Sequence, residues 1–299
     1  MIVVTGATGI AGSQVVGALV EQGREVRAFV RDAERARDVL GDAPELAVGE
    51  FEDAASLRAA LDGAEALFLS CADDPRRVEW ETAAIDAASA AGVRRIVKLS
   101  SLVAEPGAAV AFWEWHWQVE EHLRRSGVPA VILRSSFYLS NLLAAAQTVA
   151  EQGVLAAPAG AARIAMIDPR DVGACAAAVL TTAGHDGRTY VITGPEAITY
   201  ARVADELSAA TGRRVEYVDV PEPAAVHAML GAGMPAFVAL QIAAIFAEAR
   251  AGNAEAVTAT VASLTGRAPL GVADFAHANA VHFAPVVQSP CAEMLKEIA

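Results

Sequence analysis

The chain has 299 residues, 54% of them hydrophobic, and a formal net charge of −13. That length and apolar content suit one large or two modest domains with a substantial core. The charge excludes nucleic acid and anionic membrane surfaces as partners unless a local basic patch exists, and none is visible.

The first element is an apolar strand, Ile2 to Val4, followed at once by Gly6-Ala-Thr-Gly9-Ile-Ala-Gly12. Val15, Val16, Leu19 and Val20 then fall at helical spacing, and Gly23 stops the helix. A glycine-rich turn between a strand and a helix lets the backbone approach a pyrophosphate. The helix start offers unpaired N–H groups and the positive end of its dipole. Gly6, Thr8, Gly9, Ile10 and Gly12 are therefore the expected phosphate cradle.

A second strand runs from Glu25 to Val30, a helix from about Ala33 to Leu40, and a short strand from about Leu46 to Val48. Ser56 to Leu61 reads as helix, Ala66 to Ser70 as a buried strand, and Glu79 to Ala91 as an Ala-rich helix ended by Gly92. Arg95 to Ser100 is the fifth strand. A helix from Phe112 to Arg125 stops at Gly127, and Ala130 to Arg134 is the sixth strand. Strands alternating with helices predict a parallel sheet covered on both faces, with ligands at the carboxyl ends of the strands. The expected fold is α/β, a doubly wound Rossmann sheet with a smaller helix-rich C-terminal substrate domain.

The pattern changes after Asn141, where Ala/Leu-rich helical stretches dominate. A late strand, Thr189 to Ile192, is expected to rejoin the sheet. A helix from Ala201 to Thr211, a strand from Val215 to Val218 and helices from Pro221 to Ala262 follow. We place the nucleotide-binding domain at 1–150 and the smaller region at 151–299, with the tail from Pro285 to Ala299 the least constrained part.

No apolar run reaches membrane-spanning length. The N-terminal apolar stretch is short and lacks a preceding basic region, so no signal peptide is expected. Cys71, Cys175 and Cys291 are scattered and odd in number, which suits a reducing cytoplasm and gives no metal-ligand spacing.

Arg31 follows the second strand, where an acidic residue would favour NAD and an arginine favours the 2′-phosphate of NADP(H). Arg35 and Arg37 are possible helpers. Glu50, Phe51 and Glu52 are expected beside the adenine, and Ser70, Cys71 and Ala72 beside its ribose.

These features together resemble the NmrA-like branch of atypical short-chain dehydrogenase/reductases. The resemblance is carried by Thr5 to Gly12, Arg31, Lys98-Leu-Ser-Ser101, His116-x-x-x-Glu120 before Leu123 and Ser126-Gly127, and Ile132 to Arg134 with Phe137 and Asn141. Asp168-x-x-Asp171-Val-Gly173 and Thr193-Gly-Pro-Glu196 extend it over about residues 1 to 283. It implies a Rossmann domain, NADP(H) and a small substrate domain. It fixes no substrate, because the branch includes quinone-type, ether and imine reductases as well as cofactor-sensing regulators.

Most short-chain reductases use a Tyr-x-x-x-Lys dyad as proton donor and ribose holder. The chain has two lysines, Lys98 and Lys296, and the residues four before them are Arg94 and Ala292. Where the family places the dyad, this sequence has Phe112 and His116. Reduction of a simple ketone needs an acid in the transition state, and losing positioned proton transfer costs roughly 10²–10⁴-fold. A quinone, enone or iminium acceptor tolerates a weak donor or water. His116 is the remaining general-acid candidate, with Ser100 or Ser101 and Tyr138 to orient the substrate oxygen. Ser100, His116 and Phe137 are also expected to border the cofactor. Trp113, Trp115 and Trp117 cannot share one helical face, so at least one meets solvent, a partner or the cleft.

The leading reading is an NADPH-dependent reductase of a flat, conjugated small molecule, with a homodimer possible. One alternative is a non-catalytic NADP(H)-sensing regulator that binds a protein partner. Another is a non-redox isomerase or cyclase reusing the cleft.

Overall fold

The computed structural model describes residues 1–285. Its strands, in chain order, are β1 (Ile2–Val4), β2 (Val26–Val30), β3 (Glu45–Val48), β4 (Ala66–Leu69), β5 (Arg95–Ser101), β6 (Ala130–Ser135), β7 (Val154–Ala157), β8 (Thr189–Ile192) and β9 (Glu216–Asp219). The helices of the first half are α1 (Ile10–Glu21), α2 (Ala33–Leu40), α3 (Ala54–Leu61), α4 (Arg77–Ala90) and α5 (Ala111–Arg125). Those of the second half are α6 (Ala146–Gln152), α7 (Pro169–Thr181), α8 (Tyr200–Thr211), α9 (Glu222–Gly231), α10 (Ala236–Arg250), α11 (Thr260–Thr265), α12 (Val272–Ala278) and α13 (Ala280–Phe283).

Seven strands form one parallel sheet in the order β3-β2-β1-β4-β5-β6-β8. This is the doubly wound Rossmann arrangement expected from the sequence. The four residues of β4 are all buried because helices cover both faces, whereas β3 at the sheet edge stays partly exposed. The order reverses between β1 and β4, so the loops leaving those two strands diverge and open a crevice. Thr5 ties the two strand ends together: its hydroxyl reaches the Phe68 and Ser70 carbonyls at 3.2 and 2.9 Å and accepts from the Ser70 amide at 3.0 Å.

Local signals explain most boundaries. Asp32 caps α2 by accepting from the Glu34 and Arg35 amides. Asp168 caps α7, with Pro169 at its first position.

Two features depart from the sequence reading. Residues 154–157 form β7, which pairs with β9 in a separate two-stranded sheet. Alanine and leucine favour helix locally, but Gly153 ends α6 at φ 69° and β9 is at hand to pair with. The packing also does not follow a single cut at residue 150. Val172, Cys175, Ala176, Val179 and Leu180 of α7, with Val261 of α11, join α1 and the sheet in one core. A second core joins Leu139 and Leu142, Leu155, Tyr200, Leu207, Phe246, Phe275 and Phe283. The chain crosses back over the sheet because the face above β5 and β6 still needs apolar cover. Among the described residues no helix is long and apolar enough to cross a membrane.

Candidate functional site

The crevice is a cleft of about 770 Å³ running from the glycine loop, past the ends of β4, β5 and β6, to α10. At one end Gly6 sits at φ 59°, and a Cβ there would lie 2.8 Å from the Ser70 carbonyl oxygen. A Cβ on Gly12 would strike the Gly6 carbonyl. The loop can therefore turn this tightly only with glycine at both positions. The first helical bond of α1 runs from the Ser13 amide to the Gly9 carbonyl, so the amides of Ile10, Ala11 and Gly12 are left for a ligand. The first turn of α1 carries no acid and no side-chain cap, and an anion meets nothing repulsive there.

Arg31 and Arg35 line the same end. Asp32, the acid nearest the end of β2, is turned to cap α2 and does not compete for a ribose hydroxyl. Glu50, Phe51 and Glu52 border the cleft as expected, and so do Ser70, Cys71 and Ala72. Burial pushes the Cys71 thiol up to about 12, with Glu81 adding to the effect, so it is no nucleophile at neutral pH. The sequence reading missed Trp80 of α4, which stacks on Phe51 with centroids 6.1 Å apart and planes 15° apart. Arg76 lies over the Trp80 ring and pairs with Glu52 at 2.9 Å. Nothing in the Ala-rich pattern of α4 signals that Trp80 reaches the end of β3.

The floor beneath the middle of the cleft is a buried polar cluster. Lys98 on β5 bonds Glu81 at 2.9–3.0 Å and the Leu99 carbonyl, and neither charged side chain is exposed. The Lys98 ammonium stands 3.2 Å from His116 Nδ1, and Arg77 Nη1 stands 3.2 Å from His116 Nε2. Arg77 also donates to Asp73 at 2.6 Å and to the Cys71 carbonyl at 3.0 Å. A guanidinium and an ammonium both only donate, and a neutral imidazole accepts at one nitrogen alone, so the ring accepts from one of these two cations and not from both.

This geometry corrects the acid role expected for His116. Burial, followed by Lys98, Arg77 and Arg134, holds its pKa well below 6.5. Each ring nitrogen faces a cationic donor, and the imidazolium that would donate is disfavoured. His116 does line the cleft, as a neutral wall.

Ser100 is corrected in the same way. Its hydroxyl donates to Glu120 at 2.5 Å, and Glu120 is held in turn by Arg134 at 2.7–3.0 Å and by Arg124 at 2.8 Å. That closed network locks α5 to β5 and β6 and leaves no proton for a substrate. Ser101, the other alternative, lines the cleft with its hydroxyl unpaired among the described residues. Ser136, unflagged by the sequence, also lines the cleft and has a buried hydroxyl with no partner among the described residues.

Tyr138 lies half-buried in the wall, with its phenol accepting from Ser135 at 3.3 Å. Burial pushes that phenol upward, so it stays neutral and is a weaker acid than usual. Phe137 forms the adjoining wall and packs on Phe246 at 6.1 Å. Phe112 is buried and clusters with Trp115 and Phe237 of α10. Trp115 stacks on Phe237 at 5.6 Å and 22°, and Trp113 lines the cleft. Ile245, Glu248 and Ala249 of α10 complete this end.

The chain matches the NmrA-like family over residues 1–266. It is 36% identical to an NAD(P)H azoreductase of Xenophilus azovorans, covering 95% of this chain and 99% of that protein. It is 40% identical to a (4-alkanoyl-5-oxo-2,5-dihydrofuran-3-yl)methyl phosphate reductase of Streptomyces griseus, covering 95% and 100%. Among solved structures, the NADPH-dependent quinone oxidoreductase QOR2 of Escherichia coli, complexed with NADPH, superposes with a TM-score of 0.84 at 31% identity, covering 92% and 98%. The chain therefore belongs to the NmrA-like family.

Proposed function

We propose that the protein is an NADPH-dependent reductase that delivers a hydride to a flat, conjugated small molecule of the quinone, enone or imine type. The observation that carries this reading is the continuity of one cleft. An open helix start flanked by Arg31 and Arg35 leads to an aromatic-walled end where Phe112 replaces the expected proton donor. The relatives named as reductases of azo, butenolide and quinone compounds support it.

The residues present fit the cofactor. The amides of Ile10, Ala11 and Gly12 would hold the pyrophosphate, Arg31 and Arg35 the 2′-phosphate, and Phe51 with Trp80 the adenine side. Bound, the reduced nicotinamide supplies a hydride equivalent. The chain contributes alignment and water exclusion through Phe112, Trp113, Phe137 and Tyr138. Ser101 and Ser136 offer hydroxyls to a substrate oxygen. Trp115 is occupied by Phe237, which leaves less of the tryptophan-rich helix free for a protein partner.

Fluorescence titration with NADPH, NADH, NADP⁺ and NAD⁺, followed by a turnover screen over quinones, enones and imines, tests the reading. Tight NADPH binding with turnover of at least one conjugated acceptor is the expected result. Intact binding with no oxidation of NADPH across the three classes would overturn it.

A further inference from the structure

Two helices that line the acceptor end of the cleft belong to different cores. α5 supplies Phe112, Trp113 and His116, and α10 supplies Ile245, Glu248 and Ala249. α5 is rooted through Val119 and Leu123 among sheet residues such as Leu67 and Ile96. α10 is rooted through Phe246 and Ala249 in the second core, with Tyr200 and Phe275. Neither core holds both helices, so neither fixes the distance between them, and their backbones do not pack face to face. Two side chains of α10 bridge the gap. Gln241 Oε1 accepts from the amide of Ala111, the first residue of α5, at 2.6 Å. Phe237 lies against Phe112 and Trp115, with ring centroids 6.0 and 5.6 Å away.

Phe237, Gln241, Ile245 and Glu248 are spaced by four, four and three, so they share one face of α10. The buried stripe, Ala239, Ala243, Phe246 and Ala249, lies on the other side. The face that clasps α5 therefore continues into the cleft wall, and the two move together. Little else holds the first half of α10. Phe237 and Leu240 are 40% and 56% exposed, and α9, which packs mainly on α10, buries none of its own residues. The link from Gly231 to Pro235 includes Gly233 at φ 84°. The last turn of α10, by contrast, is tied down: Arg250 donates to the Pro158 carbonyl and to Glu222 at 3.1 Å. On the α5 side Val110 offers no side-chain cap, so Gln241, 130 residues away, supplies an acceptor that the first turn lacks.

We infer that Gln241 and Phe237 are positioning residues that set the width of the acceptor end, and with it the largest acceptor the cleft admits. The kinetic test of this role rests on the reductase reading; the exchange test does not. A capping hydrogen bond is worth about fivefold in an equilibrium, and an aromatic pair roughly two- to tenfold. Without both, α10 is free to stand off α5 and a broader ring system gains entry, while the nucleotide end is untouched. The probes are 1,4-benzoquinone, 1,4-naphthoquinone and 1,4-anthraquinone, which keep one reacting ring and add fused rings behind it. Each takes a hydride from NADPH and a proton from water and yields its hydroquinone. In the double variant Phe237→Ala, Gln241→Ala the kcat/KM ratio of 1,4-anthraquinone over 1,4-benzoquinone is expected to rise about fivefold or more, chiefly through KM. NADPH affinity should stay within about twofold of native. Amide hydrogen exchange over residues 236–242 should be roughly tenfold faster. Gln241→Glu keeps an acceptor for the Ala111 amide at the positive end of α5, so it should retain the native ratio and the native exchange.

An unchanged size ratio in a double variant of unchanged Tm overturns the inference, and so does exchange over 236–242 that ignores loss of the clasp. Should the double variant fail to fold, Gln241→Ala is set against Gln241→Glu. A ratio about threefold higher in Gln241→Ala is then expected, and equality overturns the inference. Faster exchange with no turnover of any of the three quinones sustains the clasp and overturns the reductase reading. Turnover of 1,4-naphthoquinone with the same size ratio in every variant overturns this inference alone.

Discussion

The two ends of the cleft are built from different parts of the polypeptide. The nucleotide end is made of backbone: amides at the start of α1, a left-handed Gly6, and a Gly12 pressed against the Gly6 carbonyl. The acceptor end is made of side chains from α5, from the segment after β6 and from α10. A backbone site has one solution and tolerates no added atom, whereas a side-chain site can be repacked. One end therefore fixes a ligand type, and the other sets which substrate meets it. Between them lies the buried floor of Glu81, Lys98, His116 and Arg77, which belongs fully to neither end.

The sharpest way to break this comparison is at the floor. Lys98→Met leaves the Glu81 carboxylate buried with Arg77 only at 3.7 Å. Removing one partner of a buried pair costs about 3–5 kcal/mol, so a large fall in Tm or denaturant midpoint is expected. Adding Glu81→Gln should restore part of it, and no recovery would show that Lys98 matters for some other reason.

The next largest effect is expected in the glycine loop. Gly12→Ala forces the loop apart at the Gly6 carbonyl, and overpacking of this kind costs up to about 3 kcal/mol. NADPH affinity should fall roughly a hundredfold, measured by fluorescence titration. A variant that binds normally would mean the backbone end is as adaptable as the side-chain end.

Arg31→Asp tests which dinucleotide this end reads. Loss of a charged hydrogen bond to phosphate is worth about 2 kcal/mol, so the NADPH-over-NADH preference should drop roughly thirtyfold. An equal loss for both cofactors would remove the 2′-phosphate assignment.

The smallest effect concerns His116 and pH. Its folded pKa lies well below the unfolded 6.5, so below that pH the unfolded chain binds a proton that the folded chain refuses. Stability is full above about pH 6.5 and falls as the pH drops, by about 1.4 kcal/mol per unit for this group. In His116→Gln the slope of unfolding free energy against pH between 6.5 and 5 should be shallower by that amount. An unchanged slope would mean the histidine is protonated in the fold and available as an acid after all.

Much of the nucleotide end was legible because its signals are local. Gly6, Gly9 and Gly12 sit within one turn of a strand, and Arg31 is the first residue after β2. Most strands and helices of the sheet domain were equally readable from periodicity and stop residues. The acceptor end was not. Ser100 looked like a substrate ligand until Glu120, twenty residues away, claimed its proton. His116 looked like an acid until Lys98 and Arg77 closed on its ring. Trp80, Ser136 and Glu248 carried no one-dimensional signal, because each reaches the cleft only through packing between elements distant in sequence.

The sequence by itself determined a doubly wound sheet with a phosphate-binding start. Glycine spacing, apolar periodicity and turn residues act within a few residues of one another, and the absence of a Tyr-x-x-x-Lys dyad is a matter of composition. Tertiary structure decided protonation and charge at the reacting end. Burial depresses His116 and raises Tyr138. Those effects depend on which groups exclude water from which others, and that relation exists only once the chain has folded.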